Sequence, residues 1–261
     1  MAENLFDLTG KVAVVTGANS GLGFGFARGL ARAGSDVVIW GRRADKNEAA
    51  AEKLRAFGTR ILTDEVDVSN EEQVVAGMAR AVAEMGRVDT VVANAGFATQ
   101  KPFHEMDSKT WHAMIDVAFH GAFYTLREAA KHMVARFDAG DPGGSLIICG
   151  SGSIYQGVPT LAHYAAAKGG MWSMSKTLAA ELGPKAIRCN VIAPGFIITE
   201  MTMADPEIGA AITKMVEAKT PLGRAGNPDD LEGAVVYLAS DMSRYHTGDA
   251  LMIDGGKLNM N

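Results

Sequence analysis

Tyr164 and Lys168 stand four residues apart in the run Tyr164-Ala165-Ala166-Ala167-Lys168. On a helix that spacing puts a phenol and an ammonium on one face, a turn apart. A phenol by itself is a poor base near neutral pH, and a neighbouring ammonium favours its ionised form. Such a pair can exchange a proton with an alcohol or carbonyl oxygen. A second chemical signal lies near the start of the chain. Thr16-Gly17-Ala18-Asn19-Ser20-Gly21-Leu22-Gly23 follows the apolar run Lys11–Thr16 and opens an amphipathic segment. Glycines at 17, 21 and 23 let the backbone turn tightly and approach a ligand closely. Free N–H groups at a helix start, aided by the helix dipole, suit a pyrophosphate. The turn therefore places Gly17, Asn19, Ser20, Gly21, Leu22 and Gly23 against a dinucleotide.

The next apolar run ends at Trp40-Gly41-Arg42-Arg43. An NAD site needs a carboxylate here for the ribose hydroxyls. Gly41 holds that place, and the nearest acid, Asp45, begins the following helix. Arg42 can pair with a 2′-phosphate, whose geometry suits a guanidinium. The expected cofactor is NADP(H), with NAD(H) as the alternative.

Short apolar runs alternate with amphipathic segments and supply the frame for these groups. Strands are expected at Lys11–Thr16, Asp36–Trp40, Ile61–Val66, Val88–Ala93, Ser145–Gly150, Ile187–Ile192 and Ala250–Ile253. Each is short and rich in β-branched residues, and several are continuously apolar, as parallel strands covered on both faces are. Helices are expected at about 21–33, 45–57, 70–85, 108–136, 162–182 and 228–240. Asn70, followed by Gln73, marks one helix start, and Asn227-Pro228-Asp229-Asp230 another. Strand–helix alternation predicts an α/β fold: a parallel sheet of about seven strands with helices on both faces. No linker or repeat interrupts it, so residues 1–261 read as one domain.

Composition excludes several function classes. The net charge of −5, with no basic block, argues against a nucleic-acid partner. Met1–Gly10 lacks the apolar core of a signal peptide, and no apolar run is long enough to span a bilayer. A cytoplasmic protein with no membrane partner is expected. Cys149 and Cys189 lie in separate apolar runs without ligand spacing and read as reduced core thiols. His104, His112, His120, His132 and His163 form no ligand motif, and no metal is expected.

Several motifs occur in a fixed order: TGxxxGxG from Thr16, Asn94-Ala95-Gly96, Ser151 thirteen residues before Tyr164, Lys168, and Pro194-Gly195. The chain thereby resembles the short-chain dehydrogenase/reductase family over about residues 6–256. The resemblance implies a doubly wound, Rossmann-type sheet and an oxidoreductase that interconverts a ketone and a secondary alcohol by hydride transfer. It implies Tyr164 as general acid/base, Lys168 as its partner and holder of the nicotinamide ribose, and Ser151 as donor to the substrate oxygen. It also implies that Asp67 and Val68 border the adenine and that Asn94, with Ala95 and Gly96, braces the sheet beside the cofactor. Pro194, Gly195, Ile197 and Thr199 follow the sixth strand, the last two meeting the carboxamide. A mobile substrate lid is expected at about 198–220, with Met201, Met203, Ile208 and Met215, and a homotetramer by analogy. Phe97, Ile154, Val158 and Phe196 give the cleft apolar walls, favouring a neutral substrate, while sugar-acid and 3-oxoacyl chemistry stay open. Ser153 is a second hydroxyl near the substrate.

One position departs from the family. Ala118 stands where members carry an asparagine that holds a water in a proton relay from the lysine. A backbone carbonyl at that bend can still hold the water, which leaves the relay with a weaker anchor. The alternative is an NADP-binding regulator or scaffold that keeps the fold without turnover.

Overall fold

The computed structural model describes residues 5–260, so the expectation for residues 1–10 lies partly outside the described residues. Seven strands form one parallel sheet: β1 Val12–Thr16, β2 Asp36–Gly41, β3 Ile61–Glu65, β4 Thr90–Ala93, β5 Gly144–Cys149, β6 Ile187–Pro194 and β7 Ala250–Ile253. Their order is β3-β2-β1-β4-β5-β6-β7. Helices α1 Gly21–Arg32, α2 Ala44–Arg55, α3 Glu71–Met85, α4 Ser108–Ile115, α5 Gly121–Asp138, α6 Ala162–Leu182, α7 Pro206–Lys219 and α8 Glu232–Ala239 cover it.

Alternate strand residues face opposite sides of a sheet, and two cores follow. Val14, Val38, Val91, Leu146 and Ile148 meet Met78, Leu126, Met133 and Met171 from α3, α5 and α6. Val15, Ile39, Val92, Ile147 and Ile192 meet Phe26, Leu30, Leu54 and Val235 from α1, α2 and α8. A fully buried Leu, Ile or Phe stabilises the fold by about 1.5–3 kcal/mol relative to exposure. Continuous apolar runs are thus used on both faces, which is why these strands do not alternate in polarity.

The chain steps outward through β1, β2 and β3, then returns to place β4 on the other side of β1. Ligand crevices form at such a reversal, outside the carboxyl ends of the strands. The ends of β1, β4, β5 and β6 here carry the glycine turn, Asn94-Ala95-Gly96, Ser151 and Pro194-Gly195 respectively.

Three local expectations are corrected. The segment expected as one helix over 108–136 is broken by a wider, π-type turn at Asp116–His120. The segment 228–240 begins as a tight 3₁₀ turn, Pro228–Leu231, before α8. Helix α7 forms within the expected lid, started by Asp205, whose carboxylate accepts from Glu207 N and Ile208 N, both at 3.0 Å. Asn70 caps α3 as expected, accepting from Gln73 N at 3.1 Å. Gln73 Oε1, however, reaches past the cap to accept from Asp67 N at 2.9 Å.

Candidate active site

The glycine turn is built for close approach. Gly17 and Gly21 have φ of 64° and 54°, the left-handed region that a side chain disfavours. A Cβ on Gly23 would overlap the Gly17 carbonyl and the Asn94 carboxamide. Ser20 precedes α1 without capping it through its side chain, and no acid lies in the first turn. The starts of α3, α4 and α7 are capped by Asn70, Asp107 and Asp205. The first turn of α1 thus keeps its backbone donors for an anion, and the cradle fits a dinucleotide pyrophosphate.

Thr16, the first residue of the TGxxxGxG run, was given no role from the sequence, yet it organises this corner. Its hydroxyl accepts from Asn94 N and Ala95 N, each at 2.9 Å, and its carbonyl accepts from Asn94 Nδ2 at 2.9 Å. The end of β4 is thereby pinned to the turn after β1. Its sequence signal is its place at the head of that motif, as the last residue of β1. Gly96 follows in the same segment. Leu22 packs against the α1 side of the core, while Asn19 donates to Asn47 Oδ1 at 2.7 Å.

At the end of β2, Arg42 is 70% exposed and its guanidinium approaches Asp67 at 3.9 Å. Asp67 accepts from Ser69 N at 3.0 Å and Ser69 Oγ at 2.7 Å. Val68 is buried and meets Gly121. Beyond β6, Pro194 ends the strand and Gly195 N donates to Ile253 O at 2.9 Å. Ile197 is buried and pairs with Gly226. Thr199 lies beside Gly21, since a Cβ there would stand 3.5 Å from Thr199 Cγ2.

Lys168 joins the helix that carries Tyr164 to the end of β5, two residues before Ser151. Lys168 is 4% exposed, and its Nζ donates to Cys149 O at 2.6 Å. The same ammonium lies 5.5 Å from the centre of the Tyr164 ring. Ser151 is two residues beyond Cys149, and its Oγ accepts from Ser153 N at 3.1 Å. Ser153 Oγ is buried and has no hydrogen-bond partner. A buried orphan hydroxyl costs free energy unless something pairs with it, which suits a ligand-facing position. Burial pushes the Cys149 thiol pKa up, and that of Cys189 up to about 12, so both stay protonated core thiols.

Tyr164 packs with Met114, Ala118, Ala167 and Phe97. Ala118 is 1% exposed and sits in the π-type turn, so this wall of the site is apolar. His163 is fully buried and bonds Thr99 Oγ1 through Nε2 at 3.0 Å. Burial lowers its pKa and keeps it neutral. Among the described residues no three His, Cys, Asp or Glu side chains gather as a metal site. Nor is any described helix long and apolar enough to cross a membrane.

A family model described as Enoyl-(Acyl carrier protein) reductase matches residues 17–257. An L-rhamnose 1-dehydrogenase (NAD(P)(+)) from Sphingomonas sp. is 37% identical over 253 residues, 95% of this chain and 96% of that protein. The crystal structure of a short-chain type dehydrogenase/reductase from Mycobacterium marinum superposes with a TM-score of 0.90, at 34% identity, over 97% of each chain. A gluconate 5-dehydrogenase from Burkholderia cenocepacia, solved with NADP and tartrate, gives 0.91 at 34% identity, also over 97% of each chain. These likenesses set aside the scaffold alternative raised by Ala118. With its parallel sheet and glycine cradle, the chain belongs to the short-chain dehydrogenase/reductase family and is an NAD(P)-dependent oxidoreductase acting on CH-OH groups.

Proposed function

We propose that the enzyme interconverts a neutral ketone and its secondary alcohol with NADP(H), using Tyr164 as general acid/base. The observation that carries this reading is the Lys168 Nζ–Cys149 O hydrogen bond of 2.6 Å. It ties the helix bearing Tyr164 to the strand end bearing Ser151. In reduction Tyr164 gives its proton to the carbonyl oxygen, and in oxidation its phenolate takes the alcohol proton. Lys168 stabilises the phenolate, and Ser151 donates to the substrate oxygen as charge develops. The nicotinamide, when bound, supplies or accepts the hydride. Gly17, Asn19, Ser20, Gly21, Leu22 and Gly23 would hold the pyrophosphate and Arg42 the 2′-phosphate. Asp67, Val68, Asn94, Ala95, Gly96, Pro194, Gly195, Ile197 and Thr199 would line the rest of the cofactor.

The preference for a neutral substrate rests on apolar walls at Phe97, Ile154, Val158 and Phe196. Arg224 borders the same cavity as Phe196, but both its terminal nitrogens are held by Asp230 at 2.7 Å. Segment 198–220 acts as a lid in this reading, supported by the exposure of Met201, Ile208 and Met215. Residues 1–261 act as one domain of a cytoplasmic homotetramer, the assembly resting on family resemblance. The test is NADPH oxidation and NADP⁺ reduction with neutral ketones, sugar acids and secondary alcohols. Neutral ketones should exceed sugar acids in kcat/KM by at least about tenfold, because a carboxylate left unpaired against apolar walls is costly. Preferred turnover of sugar acids overturns the substrate class. No turnover despite tight NADPH binding overturns the reaction.

A further inference from the structure

Asn47 bonds none of the proposed reacting groups, yet its side chain joins three segments that surround the cofactor site. It lies in the first turn of α2 and is 1% exposed. Nδ2 donates to Gly41 O at 2.8 Å, at the end of β2, and to Asp64 O at 3.0 Å, in β3. Oδ1 accepts from Asn19 Nδ2 at 2.7 Å, in the glycine turn. Both donors and the acceptor are therefore used. A buried carboxamide is tolerated only with such partners, and its bonds then fix one arrangement of the groups it joins.

That arrangement bears on position 41. Gly41 is buried, and a Cβ built on it would overlap both Asn19 Nδ2 and Asn47 Oδ1. The Asn19–Asn47 hydrogen bond thus occupies the space that any side chain at 41 needs. The same bonds orient the Gly41 carbonyl and hence the start of the turn that presents Arg42, whose guanidinium is 70% exposed.

We propose that Asn47 is a positioning residue for cofactor choice: it sets the Gly41-Arg42 turn to receive a 2′-phosphate and closes position 41 to an NAD-type carboxylate. The inference rests on the NADP reading, and its test separates the two. The kcat/KM for NADPH and for NADH is measured on the wild type, Arg42→Ala, Asn47→Leu, Gly41→Asp and the double variant Gly41→Asp/Asn47→Gly. A wild type that prefers NADH overturns the NADP reading and the inference with it. With NADPH preferred, Arg42→Ala reports the direct phosphate contact. Asn47→Leu should then lose about tenfold with NADPH, chiefly in KM, and less than about threefold with NADH. A merely structural role lowers both cofactors in parallel, and that result overturns the inference alone. If Asn47→Leu does not fold, the aspartate variants decide. Gly41→Asp should lose NADPH use without gaining NADH use, and adding Asn47→Gly should raise NADH kcat/KM at least about tenfold. Full NADH use by Gly41→Asp alone overturns the inference.

Discussion

Replacing Gly23 with alanine probes the close-approach turn most sharply. The new methyl would stand 2.5 Å from Asn94 Nδ2 and 2.7 Å from the Gly17 carbonyl carbon, where relaxed carbon contacts lie at about 3.5–4.0 Å. Neither neighbour yields freely. Gly17 N donates to Trp40 O at 2.7 Å, and Asn94 Nδ2 donates to Thr16 O at 2.9 Å. The turn must therefore open by about 1 Å. Overpacking costs about 1–3 kcal/mol, and losing the Asn94 bond adds about 1 kcal/mol. If half of that cost falls on the cofactor complex, Kd for NADPH rises roughly 5- to 30-fold. The other half lowers Tm by about 2–8 °C for a chain of this size. NADPH fluorescence titration and thermal melting read the two halves. Gly233→Ala is the control, because a Cβ there meets nothing within 4 Å. A Gly23→Ala protein that binds NADPH within about twofold of wild type, with an unchanged Tm, would refute the reasoning.

Two further outcomes follow from local chemistry. Arg224, then the Asn227 N–H, hold the Asp230 carboxyl down to about 2 from its ordinary 3.8. A carboxylate lowered on folding stabilises above its unfolded value and loses that contribution as pH falls through the folded one. The Tm gap between wild type and Asp230→Asn should thus be steady above about pH 5 and close between about pH 4 and pH 2; a gap independent of pH contradicts this. Ala118→Asn restores a hydrogen-bonding side chain at the π-type turn beside Tyr164 and should leave kcat similar or higher. A loss beyond about tenfold would mean that the relay does not run past this position.

Strand positions were legible because the runs, apart from the weaker Ile61–Glu65, are mostly apolar and bounded by turn residues, and all seven fall within about two residues of the expected ends. The glycine turn was legible because strand, glycines and helix are contiguous. Long-range pairings were not. Thr16 braces Asn94 across the β1–β4 junction, and Asn47 joins Gly41, Asp64 and Asn19. Nothing local marks a buried asparagine in an otherwise polar helix start as a connector; only the folded register brings its partners together. The π-type break at Asp116–His120 was not read from the apolar pattern; only the family resemblance marked a bend at Ala118 within it. Helix α7 was not set down because its segment read as a lid, although Ile208, Ile212, Met215 and Val216 carry a helical spacing; Ile208 and Met215, seven apart, share a face that stays exposed.

The central claim, proton exchange by Tyr164 beside a buried Lys168, is tested most directly with Tyr164→Phe. The variant keeps the ring and its packing against Ala118 and Ala167 and loses only the hydroxyl. Turnover of the best ketone is followed by NADPH absorbance, and NADPH binding by fluorescence. General acid/base chemistry predicts that kcat falls by about 10²–10⁴ while the NADPH Kd stays within about threefold of wild type. A phenylalanine variant that retains more than about a third of the wild-type kcat would contradict the account.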